Sequence, residues 1–183
     1  MTDLLVLDLV DKRLVTNQII LTVGYDIDNL KDPSRRKKYH GEIKTDRYGR
    51  SIPKHAHGTA NLKKYTSSTR LITQAVMELF DRIVDEGLLV RRINMAATHV
   101  IAEAEAQTQS ENNFEQLDLF TDYSARQSLL EKENEELEKE RKMQEAMLEI
   151  KKKFGKNAIL KGMNLQEGAT AKDRNRQIGG HKA

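Results

Sequence analysis

Residues 66–100 read TSSTRLITQAVMELFDRIVDEGLLVRRINMAATHV, and they join a helical pattern directly to a strand pattern. The hydroxyl residues 66–69 can cap a helix, because their side chains can accept hydrogen bonds from the free N–H groups of a first turn. Apolar residues then recur every three or four positions from Leu71 to Ile83, and Gly87 is expected to stop the helix. Residues 88–101 are rich in β-branched and aliphatic side chains, which favours a strand.

The preceding residues predict one more helix and two more strands. Residues 2–13 place leucine and valine on one helical face, with Thr2 as the expected cap. Residues 16–25 (TNQIILTVGY) and 58–65 (GTANLKKY) predict strands, and residues 26–57 predict a long charged loop. The order α-β-β-α-β predicts an α+β fold, in which an antiparallel sheet carries two helices on one face.

The composition changes after residue 102. Residues 103–121 are acidic and polar, which predicts a flexible linker, and they enclose the short apolar segment QLDLF. Residues 122–154 lack glycine and proline and repeat apolar residues at helical spacing, which predicts one long amphipathic helix. Residues 155–183 are basic and rich in glycine, so we expect a loose tail. We therefore expect a folded domain over residues 1–102, followed by linker, helix and tail.

The composition also excludes several classes of protein. The chain has 183 residues and no cysteine, so it has neither a disulfide scaffold nor a thiolate metal ligand. It contains no apolar run of the length that a transmembrane helix needs, and its first residues lack the pattern of a secretory signal. We therefore expect a cytoplasmic protein with no membrane partner.

Charge is strongly segregated along the chain, although the net charge is only +3. Residues 31–70 contain 12 basic and 3 acidic residues, whereas residues 101–140 contain 3 basic and 12 acidic ones. A basic block favours a polyanion, because lysine and arginine release condensed counterions when they neutralise phosphates. The block 31–70 therefore predicts a contact with nucleic acid, and a merely solvated loop is the alternative.

The candidate DNA-binding residues come from this basic block and from the last strand. Arg91 and Arg92 are neighbours in that strand, so their side chains should point to opposite faces and one of them should face a ligand. The alternative for this pair is an edge-strand charge that prevents aggregation. The complete predicted set is Arg35, Arg36, Lys37, Lys38, Lys63, Lys64, Arg70, Arg91 and Arg92.

The sequence predicts no catalytic site, no metal site and no cofactor in this chain. Asp26 and Asp28 form a D-x-D pair at a strand end, but without a third nearby carboxylate they indicate a turn. His40, His55 and His57 lie in the basic loop without an acidic or cysteine partner, so phosphate contact or solvation is expected. The sequence contains neither a phosphate-binding glycine loop nor a nucleophile motif.

The segment formed by Gln116, Leu117, Asp118, Leu119 and Phe120 is the clearest local motif. Its apolar side chains have no periodic partners nearby. They can occupy an apolar pocket on another protein while the Gln116 amide forms hydrogen bonds at the rim. A local contact with the long helix is the alternative, and the residues alone leave both open.

Together these segments resemble the C-terminal part of a Y-family (translesion) DNA polymerase. QLDLF resembles the pentapeptide by which such polymerases bind the bacterial sliding clamp, and it fits the pattern Q-L-x-L-F at every specified position. The α-β-β-α-β segment resembles the little-finger domain, the DNA-binding module of the family, although Asn94 stands where a glycine is common. The tail after Phe154 resembles that of Gram-positive polymerases of the UmuC/DinB-like type.

The resemblance implies sequence-independent contact with primer–template DNA during translesion synthesis and DNA repair, in an SOS-type damage response. It also implies that the first strand of the little finger is missing here, together with the palm and its Mg²⁺-binding carboxylates. We therefore expect a non-catalytic fragment of a DNA-directed DNA polymerase, whose partners are the missing polymerase core, the sliding clamp and DNA. The alternative is a stand-alone DNA-binding interaction protein that oligomerises through its long helix.

Overall fold

The computed structural model describes residues 1–111, 123–178 and 181–182. The chain forms two compact units, Met1–Gln116 and Leu117–Ala183. The elements of the first unit are α1 (Thr2–Asp11), β1 (Leu14–Tyr25), α2 (Asp28–Lys31), α3 (Pro33–Lys38), β2 (Ile43–Thr45), β3 (Ser51–Pro53), β4 (Ala56–Thr66), α4 (Thr69–Ile83), β5 (Val90–Ala102) and α5 (Glu103–Glu111). Those of the second unit are α6 (Tyr123–Phe154), a 3₁₀ turn (Gly162–Leu165), α7 (Ala171–Arg174), β6 (Gln177–Ile178) and β7 (His181–Lys182). Among the described residues, no helix is both long enough and apolar enough to cross a bilayer.

A three-stranded antiparallel sheet is the framework of the first unit, as far as the structure describes it, with the strand order β4-β1-β5. The central strand β1 pairs Ile20 with Thr59 of β4 on one side and with Ala96 of β5 on the other. The predicted α+β fold is therefore confirmed. Strands β1 and β4 are both longer than the sequence pattern indicates.

Helices α1 and α4 pack against one face of this sheet. In β1 the side chains of Ile19, Leu21 and Val23 are buried, while those between them are only half-buried, because successive strand side chains point to opposite faces. The buried helical residues that cover them are Val6, Leu7, Leu9 and Val10 of α1 and Ile72, Val76 and Leu79 of α4. Removing this apolar surface from water stabilises the fold by about 25 cal/mol per Å².

Helix α4 begins as predicted but ends earlier. The Ser68 hydroxyl accepts a hydrogen bond from the Leu71 N–H at 3.2 Å, which caps the first turn. The helix ends at Ile83 because Val84 is extended, with ψ at 135°. Gly87 therefore lies in the turn that follows and does not itself stop the helix.

Helix α1 starts one position earlier than the capping argument predicts. Thr2 lies inside the helix, and Met1 precedes it without a side-chain cap. The Thr2 hydroxyl lies 4.0 Å from the Met95 sulfur on β5, which ties the start of the helix to the sheet. The predicted role of Thr2 as a cap is therefore wrong.

The segment between β1 and β4 contains more structure than the predicted loop. Helices α2 and α3 and the β2–β3 hairpin all lie within it. Helix α3 has a side-chain cap, because Asp32 accepts a 2.8 Å hydrogen bond from the Ser34 N–H and Pro33 occupies the first turn. These short elements carry no apolar periodicity, so the sequence pattern does not indicate them.

Asn29 ties this segment to the start of β5. Its side chain is fully buried. The amide nitrogen donates to the main-chain oxygens of Asp26 and Leu89, both at 2.9 Å, and the amide oxygen accepts from the Leu89 N–H at 2.8 Å. A buried amide with three hydrogen bonds is well satisfied, and it fixes the residues that follow β1 against those that precede β5.

The predicted flexible linker begins with a helix. Helix α5 covers Glu103–Glu111, directly after β5, and its alanine, glutamate and glutamine residues have good helix propensity. The prediction of flexibility is therefore corrected for this part of the linker. The predicted long helix is confirmed as α6.

The basic tail also has more structure than expected. The Lys151 ammonium near the end of α6 donates to the main-chain oxygens of Lys156 and Ile159, both at 3.0 Å. The Asn175 amide donates to the Asn157 side-chain oxygen at 2.7 Å. The two bonds from Lys151 hold the residues that follow α6 near the end of the helix. The bond between Asn175 and Asn157 joins two parts of the tail that are 18 residues apart in sequence.

Gly58 in β4 lets helix α4 approach the sheet closely. It pairs with Leu21 of β1, so it lies on the helix-covered face. A Cβ atom at this position would lie 2.8 Å from Leu79 Cδ1 and 3.2 Å from Ile83 Cγ2. Since Leu79 is buried, its side chain or α4 itself would have to shift to make room.

We predict that Gly58→Ala lowers the free energy of unfolding by about 1–3 kcal/mol, the usual cost of overpacking a filled core. Urea denaturation followed by circular dichroism measures this change. Gly24→Ala in β1 is the matched control, because the nearest atom to its added Cβ would be Arg92 O at 3.8 Å, an ordinary contact. Equal stability of the two variants would contradict the close approach of α4.

Candidate nucleic-acid interface

The face of the sheet that points away from α1 and α4 is polar. Residues paired across antiparallel strands share a face, so the partners of the outward-facing β1 residues define this surface. Its members, which we call the open face, are Gln18, Ile20 and Thr22 of β1, His57, Thr59 and Asn61 of β4, and Arg92, Asn94, Ala96 and Thr98 of β5. All of them are exposed or half-buried, and most end in an amide, a hydroxyl or a cation.

Hydrogen bonds between side chains order the open face across all three strands. The Thr98 hydroxyl donates to Gln18 Oε1 at 2.7 Å, and Gln18 Nε2 donates to Asn61 Oδ1 at 2.9 Å. Further along the strands, Thr22 Oγ1 lies 2.9 Å from His57 Nδ1. The open face is thus a fixed array of small polar groups, which can donate to phosphate oxygens without reading base sequence.

Arg92 lies on the open face, as predicted for one member of the arginine pair. It is paired with Gly24 of β1, next to a bulge that contains Arg91. Arg91 Nη1 lies 3.9 Å from Asp26 Oδ2, so its charge is partly balanced. Among the described residues Arg92 has no carboxylate partner, and its side chain is exposed.

Arg92 marks one end of the open face, where it pairs with Gly24. Lys63 lies two residues beyond Asn61 at the other end, where the pairing of β1 with β4 becomes irregular. The seven residues from Gln18 to Gly24 span roughly 20 Å at the usual strand rise. The open face is therefore long enough to meet several phosphates of one DNA strand.

The other predicted cations lie beside this face or away from it. Arg35, Arg36, Lys37 and Lys38 form the last turn of α3, where cations complement the helix dipole. Lys63 and Lys64 lie in the irregular part of β4, and Arg70 is the second residue of α4. Of the predicted set, the strand register therefore places only Arg92 on the open face.

Each acidic residue of the block 31–70 forms an ion pair with a basic residue of the same block. Arg35 Nε lies 3.6 Å from Asp32, Lys54 Nζ lies 2.6 Å from Glu42, and Arg50 Nη2 lies 2.7 Å from Asp46. The hydrogen bond from Arg50 lowers the pKa of Asp46, and that from Lys54 lowers the pKa of Glu42. The block still contains nine more basic than acidic residues, so its net charge is positive.

The turn of the β2–β3 hairpin contains functional candidates that the predicted set does not include. Asp46 Oδ1 accepts from the Tyr48 N–H at 2.8 Å and from the Arg50 N–H at 3.0 Å, and Gly49 adopts a left-handed φ of 76°. The guanidinium carbons of Arg47 and Arg50 lie 4.7 and 5.0 Å from the centre of the Tyr48 ring. The stretch D-R-Y-G-R is the sequence signal for such a turn, because it combines aspartate, glycine and interleaved cations.

The remaining sequence candidates have local roles. Asp26 accepts a 3.0 Å hydrogen bond from the Asp28 N–H, which confirms that this pair forms a turn. The rings of His55 and His57 lie edge to face, 6.4 Å apart. In the part of the chain that the structure describes, no three histidine or acidic side chains cluster closely enough to hold a metal ion. The segment Gln116–Phe120 lies outside the described residues.

Comparison with known families identifies the first unit. Residues 1–119 match the model described as the impB/mucB/samB family C-terminal domain, which covers more than half of the chain. Because of this match, the chain belongs to the impB/mucB/samB family. The matched region is the C-terminal domain of a Y-family DNA polymerase, a class of enzyme that acts on DNA. No curated protein and no solved structure matches the chain.

Proposed function

We propose that this chain holds primer–template DNA on the open face of its sheet while a polymerase core copies the template. The observation that carries the proposal is the register of β1 with β4 and β5, which gathers polar groups on one face and places Arg92 at one end of it. Phosphate contacts position DNA without specifying sequence. A translesion polymerase needs this property, because it must accept any template.

The chemistry of DNA synthesis belongs to the polymerase core and not to this chain. Phosphoryl transfer requires Mg²⁺ held by positioned carboxylates, and the sequence offers no carboxylate set of that kind. The role of the chain is instead to keep the primer end in place. We propose in addition that the polymerase is of the UmuC/DinB-like type, that it acts in an SOS-type damage response and that it is cytoplasmic, as the sequence resemblance implies.

The segment Gln116–Phe120 tethers this module to the sliding clamp. The segment lies at the end of the DNA-binding unit in the sequence, so a clamp-bound peptide would raise the local concentration of the open face at the primer end. Affinity for DNA then need not come from the sheet alone. A short peptide with Leu117, Leu119 and Phe120 as apolar anchors suits a shallow pocket on a partner protein.

We predict that Arg92→Gln weakens binding to duplex DNA and lowers the slope of log affinity against log salt concentration by about 1, the change expected for one lost phosphate contact. Fluorescence anisotropy with a labelled primer–template between about 50 and 200 mM salt measures both quantities. Lys142→Gln removes the same charge from an exposed position on α6 and is the control. We expect Lys142→Gln to leave the slope unchanged. An unchanged slope in Arg92→Gln as well would contradict binding at the open face.

We predict that replacing Leu119 and Phe120 by alanine abolishes binding to a purified bacterial sliding clamp and leaves DNA affinity unchanged. The double variant Leu129→Ala and Phe154→Ala is the matched control, because it removes one leucine and one phenylalanine that are each 67% exposed on α6. Surface plasmon resonance with immobilised clamp gives the readout. Clamp binding that survives the first double variant would rule out the peptide as the tether.

A further inference from the structure

We infer that the turn Asp46–Arg50 at the tip of the β2–β3 hairpin binds an unpaired nucleotide of single-stranded DNA. The inference rests on the proposed function, since it takes the bound single strand to be the continuation of the DNA that this chain holds. It extends that function to a second kind of DNA structure, the single strand that continues beyond the duplex. The argument depends on how the turn is built, what it exposes and where it lies.

The turn is held in one conformation before any ligand arrives. The Asp46 carboxylate accepts two main-chain hydrogen bonds through Oδ1 and a fork of two side-chain bonds through Oδ2, from Arg50 Nε at 2.8 Å and Nη2 at 2.7 Å. A second ion pair, between Glu42 and Lys54, joins the open ends of the hairpin at 2.6 Å. A preorganised loop loses little conformational entropy when it binds.

The tip exposes an aromatic ring together with two cations. The Tyr48 residue is 65% exposed, although both arginine side chains lie against its ring. The Arg47 guanidinium also donates a hydrogen bond to the Tyr48 hydroxyl. Because Asp46 balances Arg50, the uncompensated charge at the tip is that of Arg47.

This combination matches a single nucleotide better than it matches a duplex. An unpaired base can stack on an aromatic ring or on a guanidinium plane while its phosphate meets the cation, which is how proteins commonly bind single strands. Bases inside a duplex are stacked on one another, so their ring faces are not available to Tyr48. Sequence preference should be small, because every base has such a face.

The position of the hairpin suits a strand that leaves the open face at its Arg92 end. Strand β3 contacts both β1 and α2, and α2 begins at Asp28, just after β1 ends at Tyr25. Asp26 lies between these two elements and pairs with Arg91, the neighbour of Arg92. The hairpin therefore contacts the elements on either side of the residue that pairs with Arg91.

The test compares binding of a labelled oligothymidine single strand with binding of a blunt duplex hairpin by fluorescence anisotropy. We expect Tyr48→Ala to weaken single-strand binding about tenfold, which is within the range for loss of one stacked base, and to change duplex binding less than about twofold. Tyr48→Phe should retain single-strand binding, because it keeps the ring. Phe154→Ala is the matched control, since Phe154 is an exposed ring with Lys153 Nζ 5.3 Å from its centre, in the second unit of the chain.

The outcomes separate this inference from the proposed function. Unchanged single-strand binding in Tyr48→Ala, or an equal loss on the duplex, would overturn the assignment of the turn. A loss with Tyr48→Phe equal to that with Tyr48→Ala would also overturn it, because stacking would then not be the cause. A selective single-strand loss in Tyr48→Ala, with duplex binding insensitive to Arg92→Gln, would support the turn and count against the open face.

Discussion

The antiparallel pairing of β1 with a strand on each side is the constraint on which the first unit depends. Because side chains alternate along a strand, burial of Ile19, Leu21 and Val23 under the helices forces Gln18, Ile20 and Thr22 to the other face. A slip of one residue would bury amides and hydroxyls and expose the core. The same register that stabilises the fold therefore also fixes which groups the protein can offer to DNA.

The charges of the basic block, residues 31–70, are partly balanced by ion pairs within the block. The acidic residues of the basic block are paired with that block's own cations, and these pairs shape helix α3 and the β2–β3 hairpin. Such exposed pairs contribute little to stability, but they orient the side chains around them. Arg92 lies on the open face itself, where its charge can act on a ligand.

The sequence predicted the long elements of the fold well, because their apolar residues follow one clear period. It located α4, α6 and the three long strands, and it indicated that one arginine of the pair would face away from the helices. It could not find the hairpin or the buried role of Asn29, because these depend on hydrogen bonds between residues far apart in sequence, such as Asn29 and Leu89. It also took α5 for a linker, since a polar composition by itself cannot distinguish a short exposed helix from a flexible segment.

The most direct test of the central claim is an NMR titration of the isotope-labelled chain with a short DNA duplex. The account predicts that the largest chemical-shift changes occur at open-face residues such as Thr22, Thr59 and Asn94. Their neighbours on the helix-covered face, such as Leu21, should change little. Changes confined to α6 or to the helix-covered face, with the open face unaffected, would contradict the account.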